Sequence, residues 1–192
     1  CIVGESGCGK SVSALSIMGL LPPSGYVKSG SAIFQDNNLL SMSSNQLERL
    51  RGNRISMIFQ DPGSSLNPVM RIGDQVSEIF QIHLNISKKE NLEKAFEMLK
   101  QVEIPDPESR MLAYPHELSG GMAQRIMIAI ALACHPDILI ADEPTTALDV
   151  TIQSQILNLM IQMQSKTETA IILITHDLGV VAEMADNVLV MY

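Results

Sequence analysis

Gly4-Glu5-Ser6-Gly7-Cys8-Gly9-Lys10-Ser11 is the stretch on which the fold turns. The octet fits GxxxxGK[ST] in full, and its flanks agree with it: Ile2-Val3 reads as the end of a buried strand and residues 11–19 as a helix. Glycines let successive N–H groups converge on one point, and the helix that follows aims its positive end at the same point. The result is a cradle for phosphate. Lys10 is long enough to reach β- and γ-phosphates, and the Ser11 hydroxyl suits Mg²⁺. Cys8 occupies a free position of the loop; a thiol beside a helix N-terminus can become reactive, but a filler residue is the plainer expectation.

Working outward, Ile138-Leu139-Ile140-Ala141-Asp142-Glu143 is an apolar strand that ends on two carboxylates. Ligands of open α/β sheets sit beyond the carboxyl ends of the strands, so this pair is expected beside the phosphate loop. Asp142 suits Mg²⁺, directly or through water, which leaves Glu143 to polarise a water for attack on a γ-phosphate. Leu118-Ser119-Gly120-Gly121-Met122 opens a long apolar helix and makes a second anion cradle by the same dipole argument. Two helix starts do not easily grip one γ-phosphate from the same side. The second cradle is therefore expected to serve a nucleotide on a neighbouring subunit.

Around these motifs strands and helices alternate. Residues 31–34 and 55–59 read as strands, and 43–51 as a short helix stopped by Gly52. Between Asp61 and Cys134 the apolar spacing turns helical: Ile72, Val76, Ile79 and Phe80 share one face, and Leu92, Ala95, Phe96 and Leu99 another. Strands are then expected over 138–141, 170–175 and 188–191, with helices over 151–164 and 178–184. Alternation of this kind predicts a mostly parallel sheet covered on both faces. The expected organisation is one domain over 1–192, with an α/β core from 1–60 and 136–192 and a helical subdomain inserted over 61–135.

Composition narrows the function classes. Of 192 residues, 46% are hydrophobic, enough for a packed core. Thirteen Lys and Arg against 21 Asp and Glu give a net charge of −8, which lacks the positive field of a non-specific nucleic-acid binder. The apolar run over 126–134 is far short of a bilayer span. Cys1, Cys8 and Cys134 form no CxxC pair, so neither a disulfide scaffold nor a zinc site is expected.

Taken in order along the chain, the motifs resemble those of the nucleotide-binding subunit of ATP-binding-cassette (ABC) transporters. The family signature LSGGQ stands here as LSGGM, with Met122 at its fifth place. Gln60 matches the Q-loop glutamine, Ala147-Leu148-Asp149 the D-loop and His176 the switch histidine. The resemblance covers nearly the whole chain. It implies an ABC-type P-loop NTPase with ATP as substrate and Mg²⁺ as cofactor. Two subunits would pack head to tail around two ATP molecules, each ATP held by Gly4, Glu5, Ser6, Gly7, Cys8, Gly9, Lys10 and Ser11 of one chain and by Ser119, Gly120 and Gly121 of the other. Glu143, His176 and Gln60 would be catalytic, with His176 on the γ-phosphate and Gln60 near the attacking water. Ser11, Gln60 and Asp142 would hold Mg²⁺, and Asp149 would work across the dimer seam. His83, His116 and His135 are expected as surface or loop residues with no nameable partner.

A finer resemblance lies in Phe59-Gln60-Asp61-Pro62, Ser65-Leu66-Asn67-Pro68-Val69-Met70, Tyr114-Pro115-His116-Glu117 and the run ADEPTTALDV over 141–150. These are similar to the oligopeptide/dipeptide (and nickel) importer branch, although Ala123 stands where that branch carries an arginine. The branch implies import of peptides or a related solute, a second ATPase subunit (identical or paralogous), two membrane-spanning permease subunits, an extracytoplasmic solute-binding protein acting indirectly, no nucleic acid, and a place on the cytoplasmic face of the inner membrane. The helical subdomain would carry the groove for a coupling helix, with Met57, Met70 and Met111 in or beside it. The alternative is a non-transport ABC ATPase acting on nucleic acid or ribosomes, which the acidic balance disfavours. Family members have strands before the phosphate loop, with an adenine-stacking aromatic, and a further strand after the position of Tyr192. The chain is therefore expected to be truncated at both ends, with no adenine-stacking residue to name.

Overall fold

The computed structural model describes every residue except Ala147, and describes Pro62 and Ser64 by their backbone alone. In chain order the elements are β1 (Ile2–Gly4), α1 (Lys10–Met18), β2 (Ile33–Phe34), β3 (Asn37–Asn38), α2 (Ser44–Leu50), β4 (Ile55–Ile58), α3 (Pro62–Ser65), α4 (Ile72–His83), α5 (Lys88–Gln101), α6 (Pro107–Leu112), α7 (Gly120–Leu132), β5 (Ile138–Asp142), α8 (Val150–Thr167), β6 (Ala170–Thr175), α9 (Leu178–Met184) and β7 (Leu189–Met191). Among the described residues the main sheet has the order β4-β5-β6-β1-β7, and each neighbouring pair is parallel. Ile140 sits level with Met57 on one side and Ile172 on the other.

Period-two alternation along these strands divides the apolar residues between two cores. Leu139, Ala141 and Leu173 face one core with Ile58; Ile140, Ile174, Ile55 and Met57 face the other. The second core is closed by Ala14 and Met18 of α1, Leu47 of α2 and Leu39. The first continues without a break into the helical lobe, through Ile126 and Ile128 of α7 to Ile72, Val76 and Phe80 of α4 and Ala95 and Leu99 of α5. Each fully buried Leu or Ile there contributes on the order of 1.5–3 kcal/mol. α7 thus packs on the sheet and on the lobe alike. Arg125 reinforces the joint by donating to the Val102 carbonyl at 3.0 Å and to Gln155 Oε1 at 3.2 Å.

Local chemistry sets the element ends. Gly19 takes a left-handed φ of 62° and ends α1 one residue before the expected stop, while Lys10 already belongs to the helix. Ser87 and Glu90 form a reciprocal cap at the start of α5, with Glu90 Oε2 accepting from the Ser87 backbone at 2.8 Å. The expected strand at 31–34 is in fact half of a small antiparallel hairpin, β2–β3, outside the main sheet. The reason is the two-residue turn between them: Gln35 and Asp36 both have positive φ, 46° and 63°, which suits a tight hairpin and turns the chain back at once. Two of the three histidines expected without partners have them. His116 stacks on Tyr114 with ring centroids 5.8 Å apart. His83 packs against Gly52 and bonds to the Arg51 backbone; burial holds its imidazole below the ordinary value and that bond opposes the shift.

Candidate active site

The strand order brings four carboxyl ends side by side. β4 leads into Gln60, β5 ends at Asp142 with Glu143 next, β6 leads into His176, and β1 leads into the phosphate loop. This is the edge at which parallel α/β sheets bind ligands. A cleft of about 450 Å³ opens there, lined among others by Glu5, Ser6, Gly7, Gly9, Lys10, Ser11, Gln60, Glu143 and His176.

The loop follows the expected geometry. Gly7 and Gly9 have φ of 88° and 98°, a region in which side chains are strained, and Gly9 caps α1. Gly4 is confined differently: a Cβ there would lie 2.2 Å from the Met191 carbonyl oxygen and 2.7 Å from Cys8 Sγ. The buried Lys10 ammonium donates to the carbonyls of Gly4 at 2.7 Å and Glu5 at 2.9 Å, and Cys8 Sγ lies 3.9 Å away. A cation held by its own loop's carbonyls in this way is poised for a stronger anionic partner.

Ser11 and Asp142 meet beneath the loop although they are 131 residues apart in sequence, Ser11 Oγ donating to Asp142 Oδ1 at 2.9 Å. Burial pushes the Asp142 carboxyl up from its ordinary value; the Ser11 bond opposes this, the charge of Glu143 adds to it and Lys10 opposes it. Two hard oxygen donors this close, one of them a carboxylate disfavoured by burial, fit a small divalent cation such as Mg²⁺.

Glu143 is the hub of the cleft. Its backbone turns to a left-handed φ of 46° and is pinned by Glu143 N–H donating to the Ile174 carbonyl at 2.9 Å. Gln60 Nε2 donates to Oε2 at 3.1 Å, and His176 Nδ1 lies 3.3 Å from Oε1. The Glu143 side chain is only 15% exposed while that of His176 is 62% exposed, so the carboxylate is the enclosed partner and the imidazole stands open to solvent. The sequence reading did not single out Thr146, whose Oγ1 donates to Oε2 at 2.9 Å.

The second cradle stands apart from these groups. Ser119 caps α7, its Oγ accepting from Met122 N–H at 3.3 Å, and both Ser119 and Gly120 are exposed. Asp149 caps α8, accepting from Ile152 N–H at 3.0 Å. Gly120 and Gly121 lie against Leu148 and Ile152, so the two segments pack on each other, and none of Ser119, Gly120, Gly121, Leu148 and Asp149 lines the cleft. Ala147, expected in the D-loop, lies outside the described residues.

Fold and cleft together define the P-loop NTPase class. The chain belongs within it to the ABC transporter family, whose model matches residues 1–146. It is 60% identical over all 192 residues to a probable peptide ABC transporter ATP-binding protein of Sinorhizobium fredii, and 58% identical over the same span to the dipeptide transport ATP-binding protein DppD of Bacillus subtilis. The chain spans 57% of the length of each of these relatives. Among solved structures it resembles the dimeric post-hydrolysis state of the ATP-binding cassette MJ0796 bound to ADP and Pi. The TM-score is 0.85 at 28% identity, covering 99% of this chain and 79% of that one. The resemblance read from the motifs therefore holds, and so does the expected α/β class with a mostly parallel sheet.

Proposed function

We propose that this chain is the ATP-binding and ATP-hydrolysing part of a subunit that energises import of peptides, or a related solute, across the bacterial inner membrane. The observation that carries the reading is the convergence on one cleft of Lys10, the Ser11–Asp142 pair and the Glu143 carboxylate with Gln60 and His176. The substrate class follows the relatives, which are named for peptide and dipeptide transport. That favours transport over an ATPase working on nucleic acid or ribosomes.

Residues 4–11 and Lys10 receive the phosphates of ATP. Ser11, Asp142 and Gln60 would hold Mg²⁺, and the ion would supply charge neutralisation on the phosphate oxygens. Glu143 accepts a proton from the attacking water as general base. His176 turns from Glu143 toward the γ-phosphate and donates to it. Ser119, Gly120, Gly121 and Asp149 serve the ATP of a second ATPase subunit, identical or paralogous, in a head-to-tail sandwich. The exposure of Ser119, Gly120 and Asp149, and the fact that none of the four lines this chain's own cleft, support that role. The lobe over 61–135 works against the core of 1–60 and 136–192. Its partners are two permease subunits, with a solute-binding protein acting indirectly, at the cytoplasmic face of the membrane. Among the described residues no helix is long and apolar enough to cross a bilayer.

Sedimentation of the Glu143→Gln protein with and without Mg-ATP tests the sandwich. ATP-dependent dimers, with this chain or with its paralogue, that Ser119→Arg abolishes are the expected result. Turnover should fall by roughly 10²–10⁴ in Glu143→Gln, the range for loss of a general base. Unchanged turnover refutes the catalytic assignment.

A further inference from the structure

The geometry points to Thr146 as a positioning residue for the catalytic carboxylate, a role that rests on the reading of Glu143 as general base. The two oxygens of Glu143 are used differently. Oε2 accepts two hydrogen bonds, from Thr146 Oγ1 at 2.9 Å and from Gln60 Nε2 at 3.1 Å, while Oε1 faces His176 Nδ1 at 3.3 Å. Gln60 and His176 both have other work to do in the cleft. An imidazole serving the γ-phosphate would uncover Oε1, and an amide serving the ion site would leave Oε2. Thr146 stays. Its backbone N–H donates to the Glu143 carbonyl at 3.2 Å, closing the turn in which both residues sit. The hydroxyl therefore moves with the carboxylate and keeps hold of Oε2 through the cycle.

The consequence is a carboxylate whose plane is fixed by one oxygen so that the other meets the water. A free carboxylate rotates about its terminal torsion, which is broad and roughly two-fold. One charge-assisted hydrogen bond is strong enough to hold it in one orientation. Thr146 also stands three residues before Asp149, the cap of α8. The base is thus anchored to the same short loop that leads to the dimer seam.

The test is the ATP turnover of the protein in its native assembly, with three variants. Thr146→Val keeps shape and removes the donor; kcat should drop about tenfold, the scale of one hydrogen bond to a charged group, with KM for ATP within about twofold. Thr146→Ser restores the hydroxyl and should recover most of the rate. In a Glu143→Gln background, Thr146→Val should lower the residual rate by less than about twofold, because the carboxylate it positions is gone. A full tenfold loss in that background, or a raised KM with unchanged kcat, assigns Thr146 a merely structural part and overturns the inference. Normal turnover of Thr146→Val beside an inactive Glu143→Gln overturns it and leaves the general base standing. Normal turnover of Glu143→Gln removes both.

Discussion

Replacing Asp142 by Asn should make the protein more stable on its own and less responsive to Mg-ATP. Asp142 is 5% exposed, and burial raises its carboxyl above the ordinary value of 3.8. At neutral pH its charge is a cost, offset in part by Ser11 and Lys10. Asn keeps the Oδ1 acceptor for Ser11 and removes the charge. Relief of that charge is expected to return on the order of 1 kcal/mol, the energy scale of a modestly displaced titration, because the group adjoins an open cleft. About 1 kcal/mol raises Tm by about 2–4 °C in a chain of this size. The wild type in Mg-ATP at about 100 times Kd gains about 2.7 kcal/mol; a tenfold weaker complex removes about 1.4 kcal/mol of that. Thermal melts with and without Mg-ATP read both effects. The pH dependence has a definite sign. Below about 3.8 the carboxyl is neutral in folded and unfolded chains, and the two proteins melt alike. As pH rises through the raised folded value the wild type loses stability and Asp142→Asn does not, so the gap opens and then stays level. An Asp142→Asn protein that melts below the wild type at neutral pH, or that keeps the whole Mg-ATP shift, refutes the argument.

Leu99, fully buried in the first core, should cost about 2–5 kcal/mol on truncation to Ala, read as a lower urea midpoint at unchanged slope. Gly4→Ala places a methyl 2.2 Å from the Met191 carbonyl oxygen and should cost about 1–3 kcal/mol as the β1–β7 pairing gives way. Its melting temperature should drop and its nucleotide-induced shift should shrink together; a drop without the second change would detach the loop from that strand. His83 is held below its ordinary 6.5 by burial, so its share of stability is present above pH 6.5 and is lost as pH falls through the folded value. Melts of His83→Gln from pH 7.5 downward should show a shallower acid decline than the wild type.

What was legible in the sequence was whatever short-range chemistry dictates. The phosphate loop announces itself because a cradle of N–H groups needs glycine at Gly7 and Gly9, and both take positive φ. The carboxyl ends of β4, β5 and β6 were legible because a parallel sheet puts the residues after each strand on one edge, so Gln60, Asp142, Glu143 and His176 meet there. The hairpin at β2–β3 was not, since Gln35-Asp36 is not one of the glycine-bearing pairs that mark such turns. α8 runs three residues past its expected end because the polar stretch 165–167 still has helical bonds to make, and Glu168 closes it with φ of 56° where glycine is usual. Thr146 was invisible because its bond to Glu143 forms within a turn closed by Thr146 N–H, at which the Glu143 backbone is itself left-handed, and nothing in the residue spacing announces that turn.

That backbone choice explains how two adjacent carboxylates serve one cleft. Consecutive residues of a strand point to opposite faces. Were β5 to run on straight, Asp142 beneath the loop would leave Glu143 facing away. The turn at φ 46° breaks the alternation and allows Asp142 to meet Ser11 while Glu143 meets Gln60 and His176. A non-glycine residue held there costs on the order of 1–3 kcal/mol. Opposing it are the bond from Glu143 N–H to the Ile174 carbonyl, the turn closed by Thr146 N–H, and the donors on the carboxylate. The strain is tolerated because the same hydrogen bonds that offset it also set the position of the carboxylate, so the conformation that is unfavourable for the backbone is the one that brings Glu143 to Gln60 and His176.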